Sequence, residues 1–266
     1  MMRSSILALA ATATIVAAAP VAAAPIDAVL AGSHRPDANK ARDKYRHPKQ
    51  TLAFFGIKPD MKVVEISPSG GWYTEILGPY LHDKGTLYAA AGNPATSEKA
   101  AAGVKAFKDR LAVKPELYGS TKVTVFGKGA MDIAPAGSAD AVVSFRNVHN
   151  WYMGDFAPEA FKAFYAALKP GGTLGIVEHR LPEDKPDSLM KESGYMKVSY
   201  VKKLAADAGF KFVGASEINA NPKDTKDYPQ GVWTLPPNYA EGDKDKARYA
   251  AIGESDRMTL KFVKPR

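Results

Sequence analysis

A short polar run at residues 145–152, with the sequence FRNVHNWY, carries the side chains best suited to chemistry. A histidine exchanges protons near neutral pH, and a neighbouring asparagine orients a nucleophile. An arginine holds an anion, and a tryptophan stacks on a ring or a cation. The run therefore predicts catalytic roles for His149, Asn147 and Arg146. The structural alternative is that His149 caps a helix while Trp151 fills the core.

A second polar triplet, Glu178, His179 and Arg180, ends a later apolar segment. We expect the triplet to face the same crevice as the first run, with an internal set of salt bridges as the alternative. No metal site is predicted, because the histidines show no pairing at ligand spacing and the chain has no cysteine. The motifs of serine hydrolases and of nucleotide phosphate loops are also missing from the sequence.

The elements that position these side chains follow from the alternation of short apolar segments with helical ones. Such alternation predicts one α/β domain whose mostly parallel sheet is covered on both faces. The polar run then leaves the carboxyl end of a strand, where open α/β sheets bind ligands. The segments that predict strands are KVVEIS, GTLYAAA, KVTVFG, ADAVVSFRNV, GTLGIVEHR, KFVGASEI and DRMTLKFVKP.

The formal net charge of +8 raises the question of an anionic partner. The lysines are scattered among acidic residues, as in NPKDTKDYPQ, and form no dense basic block. This pattern indicates a solvated basic surface rather than a nucleic-acid interface. The expected partner is a small molecule.

The first 24 residues resemble a signal peptide, with Arg3, an apolar run from Ile6 to Val16 and repeated small residues. We expect cleavage between Ala19 and Ala24, and hence a periplasmic protein without a stable membrane anchor. An uncleaved anchor is the alternative. Residues 25–266 are expected to form one domain.

A polar, proline-containing stretch at about 219–256 interrupts the pattern before the last strand. It is predicted to be too polar for the core and to lie across the sheet edge as a lid or substrate wall, with Trp233 as its one large apolar anchor. A passive surface excursion is the alternative.

Three segments together resemble the class I S-adenosylmethionine-dependent methyltransferases: EISPSGG, ADAVVSFRNVHNW and ALKPGGTLGIVEH. The likeness covers about Leu52 to Val263. More narrowly, GGWYTEIL, FRNVHNW and GESDRMTLKF are similar to a family of exported bacterial proteins described as predicted methyltransferases. The resemblance implies a Rossmann-like fold with a seven-stranded sheet, helices on both faces and an antiparallel last strand.

The resemblance also implies that the loop after the first strand holds S-adenosylmethionine. In the superfamily an acidic residue ends this strand and three alternate glycines follow. Here Ser67 and Ser69 occupy the first two glycine positions, and negative φ is expected at both because serine has a Cβ. A plain strand–helix turn is the alternative. The residues of this loop implied in cofactor binding are Glu65, Ser67, Ser69, Gly70, Gly71 and Trp72.

Two further cofactor contacts are weaker in this sequence. Ala91 stands where the superfamily usually places an acidic residue for the ribose, and Asn93 is the expected substitute. Asp132 lies near the position of an adenine-contacting acid.

Two functions remain open. One is a methyltransferase acting on an unidentified small-molecule acceptor. The other is a non-catalytic periplasmic ligand-binding protein with a degenerate cofactor site.

Overall fold

A computed structural model describes residues 25–266, so the predicted signal peptide lies outside the described residues. A twisted sheet has the strand order β3-β2-β1-β4-β5-β8-β7. Neighbours are parallel except β8, which pairs antiparallel with both β5 and β7. The main strands are β1 (Lys62–Ile66), β2 (Thr86–Ala91), β3 (Lys122–Val125), β4 (Ala139–Phe145), β5 (Leu168–Leu181), β7 (Lys211–Ser216) and β8 (Arg257–Val263), and β6 (Met196–Lys197) pairs only with β5.

Twelve α-helices connect or flank these strands within residues 25–266. In the part of the chain that the structure describes, no helix combines the length and apolar character needed to cross a membrane. The helices are α1 (Ile26–Ala31), α2 (Asp37–Lys40), α3 (Asp43–Arg46), α4 (Pro48–Phe55), α5 (Thr74–Leu81), α6 (Glu98–Ala112), α7 (Pro115–Tyr118), α8 (Val148–Met153), α9 (Ala157–Ala167), α10 (Ser188–Ser193), α11 (Val198–Asp207) and α12 (Lys246–Ile252).

The central strands are buried on both faces, as the apolar segments predict. Val63 and Val64 of β1 point to opposite faces, and both are fully buried. Val64 packs in a core that includes Phe161 of α9, whereas Val63 packs in a second core that includes Ile76 of α5. The prediction of a mostly parallel sheet with an antiparallel last strand is confirmed.

The segment DANKARDKYRHPKQTLAFFGI before β1 has a helical sequence pattern, but the structure divides it into α2, α3 and α4. The backbone turns into the left-handed conformation at His47, with φ of 41°. A residue before proline disfavours the right-handed helical conformation, so Pro48 separates α3 from α4. The break turns Arg46 into the protein, where its side chain is 2% exposed.

The segment between β7 and β8 is more buried than its composition suggests. It forms a small core from Tyr228, Leu235 and Tyr249. The prediction that Trp233 is its one large apolar anchor was therefore wrong.

Polar groups of this segment are buried as well, so the prediction that it is too polar for the core was also wrong. Asp224 is 2% exposed because its carboxylate accepts hydrogen bonds from the Tyr195 hydroxyl at 3.0 Å and the Asp256 backbone N–H at 2.7 Å. Asn219 is equally buried and donates to Thr51 and Thr259. Paired polar groups tolerate burial that unpaired ones do not.

Candidate functional site

The loop between β1 and α5 has an alternating left-handed backbone. Ser67, Ser69 and Gly71 have φ of 52°, 51° and 73°. The expectation of negative φ at the two serines was therefore wrong. The chain keeps the conformation that glycine adopts most easily, at a cost of roughly 1–2 kcal/mol for an L-residue. Hydrogen bonds fix the turn, with the Ser67 N–H donating to the Ala90 carbonyl at 3.0 Å and the Gly71 N–H to the Pro68 carbonyl at 2.7 Å.

Glu65 is the last residue but one of β1, next to this loop, and is 2% exposed. Its carboxyl group accepts a hydrogen bond from the Thr74 hydroxyl at 2.6 Å. Burial raises the pKa of Glu65 to about 7, although the hydrogen bond from Thr74 and the charge of Arg110 act in the opposite direction.

Arg110 of α6 clamps the outer side of the loop. Its Nη1 donates to the Gly70 carbonyl at 2.6 Å. A Cβ added at Gly71 would lie 2.2 Å from Nη2 of Arg110, whereas one added at Gly70 would meet nothing within 4 Å. Sequence reasoning missed Arg110, because it is one of several basic residues on an amphipathic helix.

Trp72 lies at the start of the helical turn that follows the loop and is 8% exposed. Its ring lies between two arginines, with the guanidinium carbon of Arg46 4.6 Å and that of Arg35 5.2 Å from the ring centroid. The indole N–H donates to the Asn39 carbonyl at 3.1 Å. The tryptophan therefore connects the helices before β1 to the loop.

Asn147 connects this loop to the polar run after β4. Its amide nitrogen lies 3.2 Å from the Phe145 carbonyl and 3.4 Å from the carbonyls of Ile66 and Ser67. The side chain is 8% exposed and its donors are directed at backbone. Asn147 thus holds the two loops in register.

The short helix α8 directs Trp151 and His149 into different surroundings. Trp151 is 2% exposed and packs edge-on against Phe126 and Phe164 in the core, so the structural alternative is correct for Trp151. His149 turns instead towards a cavity. Arg146 has φ of 63°, a strained conformation for a long side chain.

His149 forms a pair with Glu178 of β5. Its Nδ1 lies 3.0 Å from Oε1 of Glu178, which is fully buried and also accepts from the backbone N–H of His179 at 2.8 Å. Because a carboxylate only accepts, Nδ1 carries the proton and Nε2 is left as the basic nitrogen. Nδ1 of His179 lies 2.5 Å from the Ser255 hydroxyl.

These three side chains also form a group with metal-ligand chemistry. One ligand atom each from His149, Glu178 and His179 lies within 4.8 Å of the others. Spacing in the sequence did not reveal this group, because adjacency of β4 and β5 creates it. Burial, followed by the charges of His149 and Arg146, lowers the pKa of His179 well below its usual value. The same positive surroundings act against a cation, and the expectation of no metal stays a prediction.

Arg180 takes a different direction from its two neighbours. Its guanidinium pairs with Glu217 and Asp256, each at 2.8 Å. For this residue the internal salt-bridge alternative holds, and the expectation that it faces the crevice was wrong.

The arginine cluster, which we define as Arg42, Arg46, Arg146 and Arg257, surrounds Glu254. Nε of Arg42 and Nε of Arg46 lie 2.8 and 2.9 Å from the Glu254 carboxylate, and Nη1 of Arg257 lies 3.1 Å from it. Burial acts to raise the pKa of Glu254, but the arginines outweigh it and lower the pKa to about 2. Apart from Arg146, sequence reasoning assigned the cluster and its carboxylate no firm role, although GESDRM before the last strand offered a polar signal.

Two adjoining cavities open at this edge of the sheet. One of about 80 Å³ lies beside the loop, and one of about 360 Å³ lies beneath residues 232–238 of the late segment. Ser69, Arg146 and Asn147 line both cavities. The smaller is also lined by Glu65, Ser67, Trp72 and Arg46, and the larger by His149, His179, Trp233 and Glu254.

Asn93 and Asp132 lie apart from these cavities, and Gly70 and Gly71 do not line them either. Asn93 follows β2, and its side-chain oxygen accepts from the Ala95 N–H at 2.9 Å. Asp132 is exposed, beyond β3. The structure therefore brings together the loop after β1 and the run after β4, but not Asn93 or Asp132.

The fold defined by this sheet order is that of the class I methyltransferases. An S-adenosylmethionine-dependent methyltransferase from Aquifex aeolicus superposes with a TM-score of 0.51 and 18% identity, over 70% of this chain and 93% of that one. A candidate sarcosine dimethylglycine methyltransferase from Galdieria sulphuraria gives 0.54 and 13%, over 85% of each chain.

A third structure with this fold is the [4+2]-cyclase SpnF, with a TM-score of 0.53 and 14% identity over 83% of this chain and 80% of that one. No protein-family model matches the chain, and no curated protein matches it. Likeness at this identity defines the fold, and the function must be argued from the site.

Proposed function

We propose that the protein is an S-adenosylmethionine-dependent methyltransferase acting on a small-molecule acceptor. The observation that carries the proposal is the left-handed backbone at Ser67, Ser69 and Gly71. Non-glycine residues keep such a conformation only where the surrounding structure enforces it, and these positions concentrate at ligand sites. Two serines at alternate positions in the glycine conformation indicate a loop whose shape suits a ligand.

The residues beside the smaller cavity fit the methionine end of the cofactor. Backbone N–H groups and the Ser67 and Ser69 hydroxyls offer donors to a carboxylate or ribose, and Glu65 lies beneath them. Gly70 and Gly71 leave the loop without side chains on its outer side. When bound, the cofactor supplies an electrophilic methyl group on a sulfonium. Asn93 and Asp132 remain proposed contacts for the ribose and the adenine.

His149 is proposed to accept a proton from the acceptor. The Glu178 carboxylate fixes the imidazole through Nδ1, so that Nε2 is the nitrogen available as a base. Asn147 positions the run after β4 against the loop, which places acceptor and cofactor in adjoining cavities. Arg146 lies where those cavities meet.

The location of the protein is proposed from residues 1–24. Arg3, the apolar run and the small residues that follow support export to a bacterial periplasm after signal cleavage. The likeness of GGWYTEIL, FRNVHNW and GESDRMTLKF supports placement in the exported bacterial family described as predicted methyltransferases.

The test is binding and transfer with the purified mature protein. S-adenosylhomocysteine should raise the melting temperature, because a ligand that binds only the folded state stabilises it. Tritium should pass from methyl-labelled S-adenosylmethionine to the small-molecule fraction of the periplasm of the producing cells. His149→Gln should keep binding while lowering transfer by about 10²-fold.

Two results would argue against this function. Absence of any melting shift at saturating S-adenosylhomocysteine would favour the non-catalytic ligand-binding protein. Loss of stability by His149→Gln with unchanged transfer would give His149 a structural role.

A further inference from the structure

The arginine cluster carries more positive charge than its surroundings balance. Three guanidinium groups pair with one carboxylate, that of Glu254, and the fourth, that of Arg146, lies close enough to act on the pKa of Glu254. The neighbouring Asp256 does not compensate, because it already pairs with Arg180 at 2.8 Å and with Lys226 at 3.1 Å. Of the four arginines, Arg46 and Arg146 line the cavities at this edge of the sheet.

Several nitrogen atoms of the cluster have no partner. Nη2 of Arg46 and Nη2 of Arg42 are buried without a hydrogen bond. The Arg46 side chain is 2% exposed, so solvent does not replace the missing partner. Within residues 25–266 the guanidinium of Arg146 makes neither a hydrogen bond nor an ion pair, although it lines both cavities. Buried charges without partners are costly, and a buried donor calls for an acceptor.

The pKa values agree with a shortage of negative charge. Burial, followed by the charge of Arg146, lowers the pKa of Arg46 to about 9. Burial also lowers the pKa of Arg146 to about 10. Arginine remains protonated at neutral pH, so both groups keep their charge in this environment.

We propose that the acceptor carries an oxyanion, a carboxylate or a phosphate group, which binds the unpaired guanidinium of Arg146 next to the buried charge of Arg46. The planar fork of arginine matches both groups. This inference rests on the proposed function and names its substrate class. Because Arg146 shares the larger cavity with His149, an acceptor held in this way would present a neighbouring group to the base. The loop has its own N–H groups and hydroxyls for the cofactor carboxylate, which leaves the cluster for a second anion.

The experiment titrates inorganic phosphate and benzoate calorimetrically, at equal ionic strength, into the mature protein with and without saturating S-adenosylhomocysteine. We expect one of these anions to bind under both conditions. Arg146→Gln should weaken that binding at least about tenfold, as for loss of a hydrogen bond to a charged group. Lys203→Gln, which removes the same charge from an exposed helix position, should leave it unchanged.

The outcomes separate this inference from the proposed function. If neither anion binds, or if S-adenosylhomocysteine displaces the anion, the inference is overturned. The inference is also overturned if Arg146→Gln weakens the binding of S-adenosylhomocysteine but not that of 5′-methylthioadenosine, which lacks the carboxylate. Arg146 would then hold the cofactor carboxylate. If an anion binds through Arg146 but S-adenosylhomocysteine does not bind, the oxyanion site stands and the methyltransferase proposal fails. If Arg146→Gln does not fold, Arg146→Lys replaces it, because lysine keeps the charge without the planar fork. For the inference to stand, Arg146→Lys must weaken anion binding.

Discussion

At the scale of single residues, the site contains three buried carboxyl groups that differ in the hydrogen-bond donors and positive charges around them. Glu178 is surrounded by donors from His149 and His179, and Glu254 by arginines. Glu65 is different, because one hydroxyl is its main partner and burial dominates its pKa. Burial therefore raises the pKa of Glu65, whereas the arginines outweigh burial and lower the pKa of Glu254.

Stability should fall with rising pH because of Glu65. Its pKa is 4.5 in the unfolded chain and about 7 in the fold, so between these values only the folded state holds the proton. The contribution is fully present below pH 4.5 and is lost as pH rises through 7, by about 3 kcal/mol in all. Urea unfolding across this range should show that the wild type loses about 3 kcal/mol more stability than Glu65→Gln as the pH rises.

The exposed Glu116 provides the control for that comparison. Glu116→Gln removes one surface carboxyl group and should leave the slope in place. Wild-type and Glu65→Gln curves that stay parallel across the range would contradict the assignment.

At the scale of elements, the loop after β1 shows how one conformation joins three neighbours. Its serines follow β1, its carbonyl at Gly70 binds Arg110 of α6, and Asn147 reaches it from the run after β4. The outer side of Gly71 faces Arg110. Substitution there acts on α6 as well as on the loop.

Neighbouring glycines in this loop should respond differently to a single methyl group. Gly71→Ala should lower the free energy of unfolding by about 1–3 kcal/mol, because alanine is strained at φ of 73° and its Cβ would lie 2.2 Å from Arg110. Gly70→Ala should change it by no more than about 0.5 kcal/mol, since no atom lies within 4 Å. Urea unfolding with S-adenosylhomocysteine titration measures both, and equal losses from the two variants would show that contact with Arg110 is unimportant.

The elements themselves were largely predictable, and the contacts between distant ones were not. Buried strands such as β1 appear in the sequence as short apolar runs, and the turn-forming residues around them mark their ends. The helix break at His47 and the burial of Asp224 depend on contacts with residues distant in the sequence, which a local pattern does not reveal. For the same reason a role was predicted for Arg146, which belongs to a local polar run, while Arg110 was missed.

At the scale of the whole molecule, the fold brings the region before β1 and the region before β8 to one side of the sheet. Arg46 and Glu254 meet across 208 residues of sequence. Separations of this kind are invisible to motif and periodicity arguments, which explains why the arginine cluster emerged only from the structure.

Export is the prediction that concerns the whole chain. The mature protein should begin between about Val21 and Pro25 and be released by osmotic shock, because the N-terminal pattern is that of a cleaved signal. N-terminal sequencing of the released protein measures both. Intact Met1 on a cytosolic protein would contradict the proposed location.

The position of β8 between β5 and β7 constrains the order in which the protein acquires its site. The strand that fills the gap in the sheet is the last in sequence, and the carboxylate that three arginines share directly precedes it. A ribosome or a translocation channel delivers residues in order, so Arg42, Arg46 and Arg146 emerge before Glu254, and β7 emerges before the strand that joins it to β5. Contacts this distant in sequence form slowly. The charge-paired form of the proposed oxyanion site therefore arises only after Glu254 and β8 have emerged.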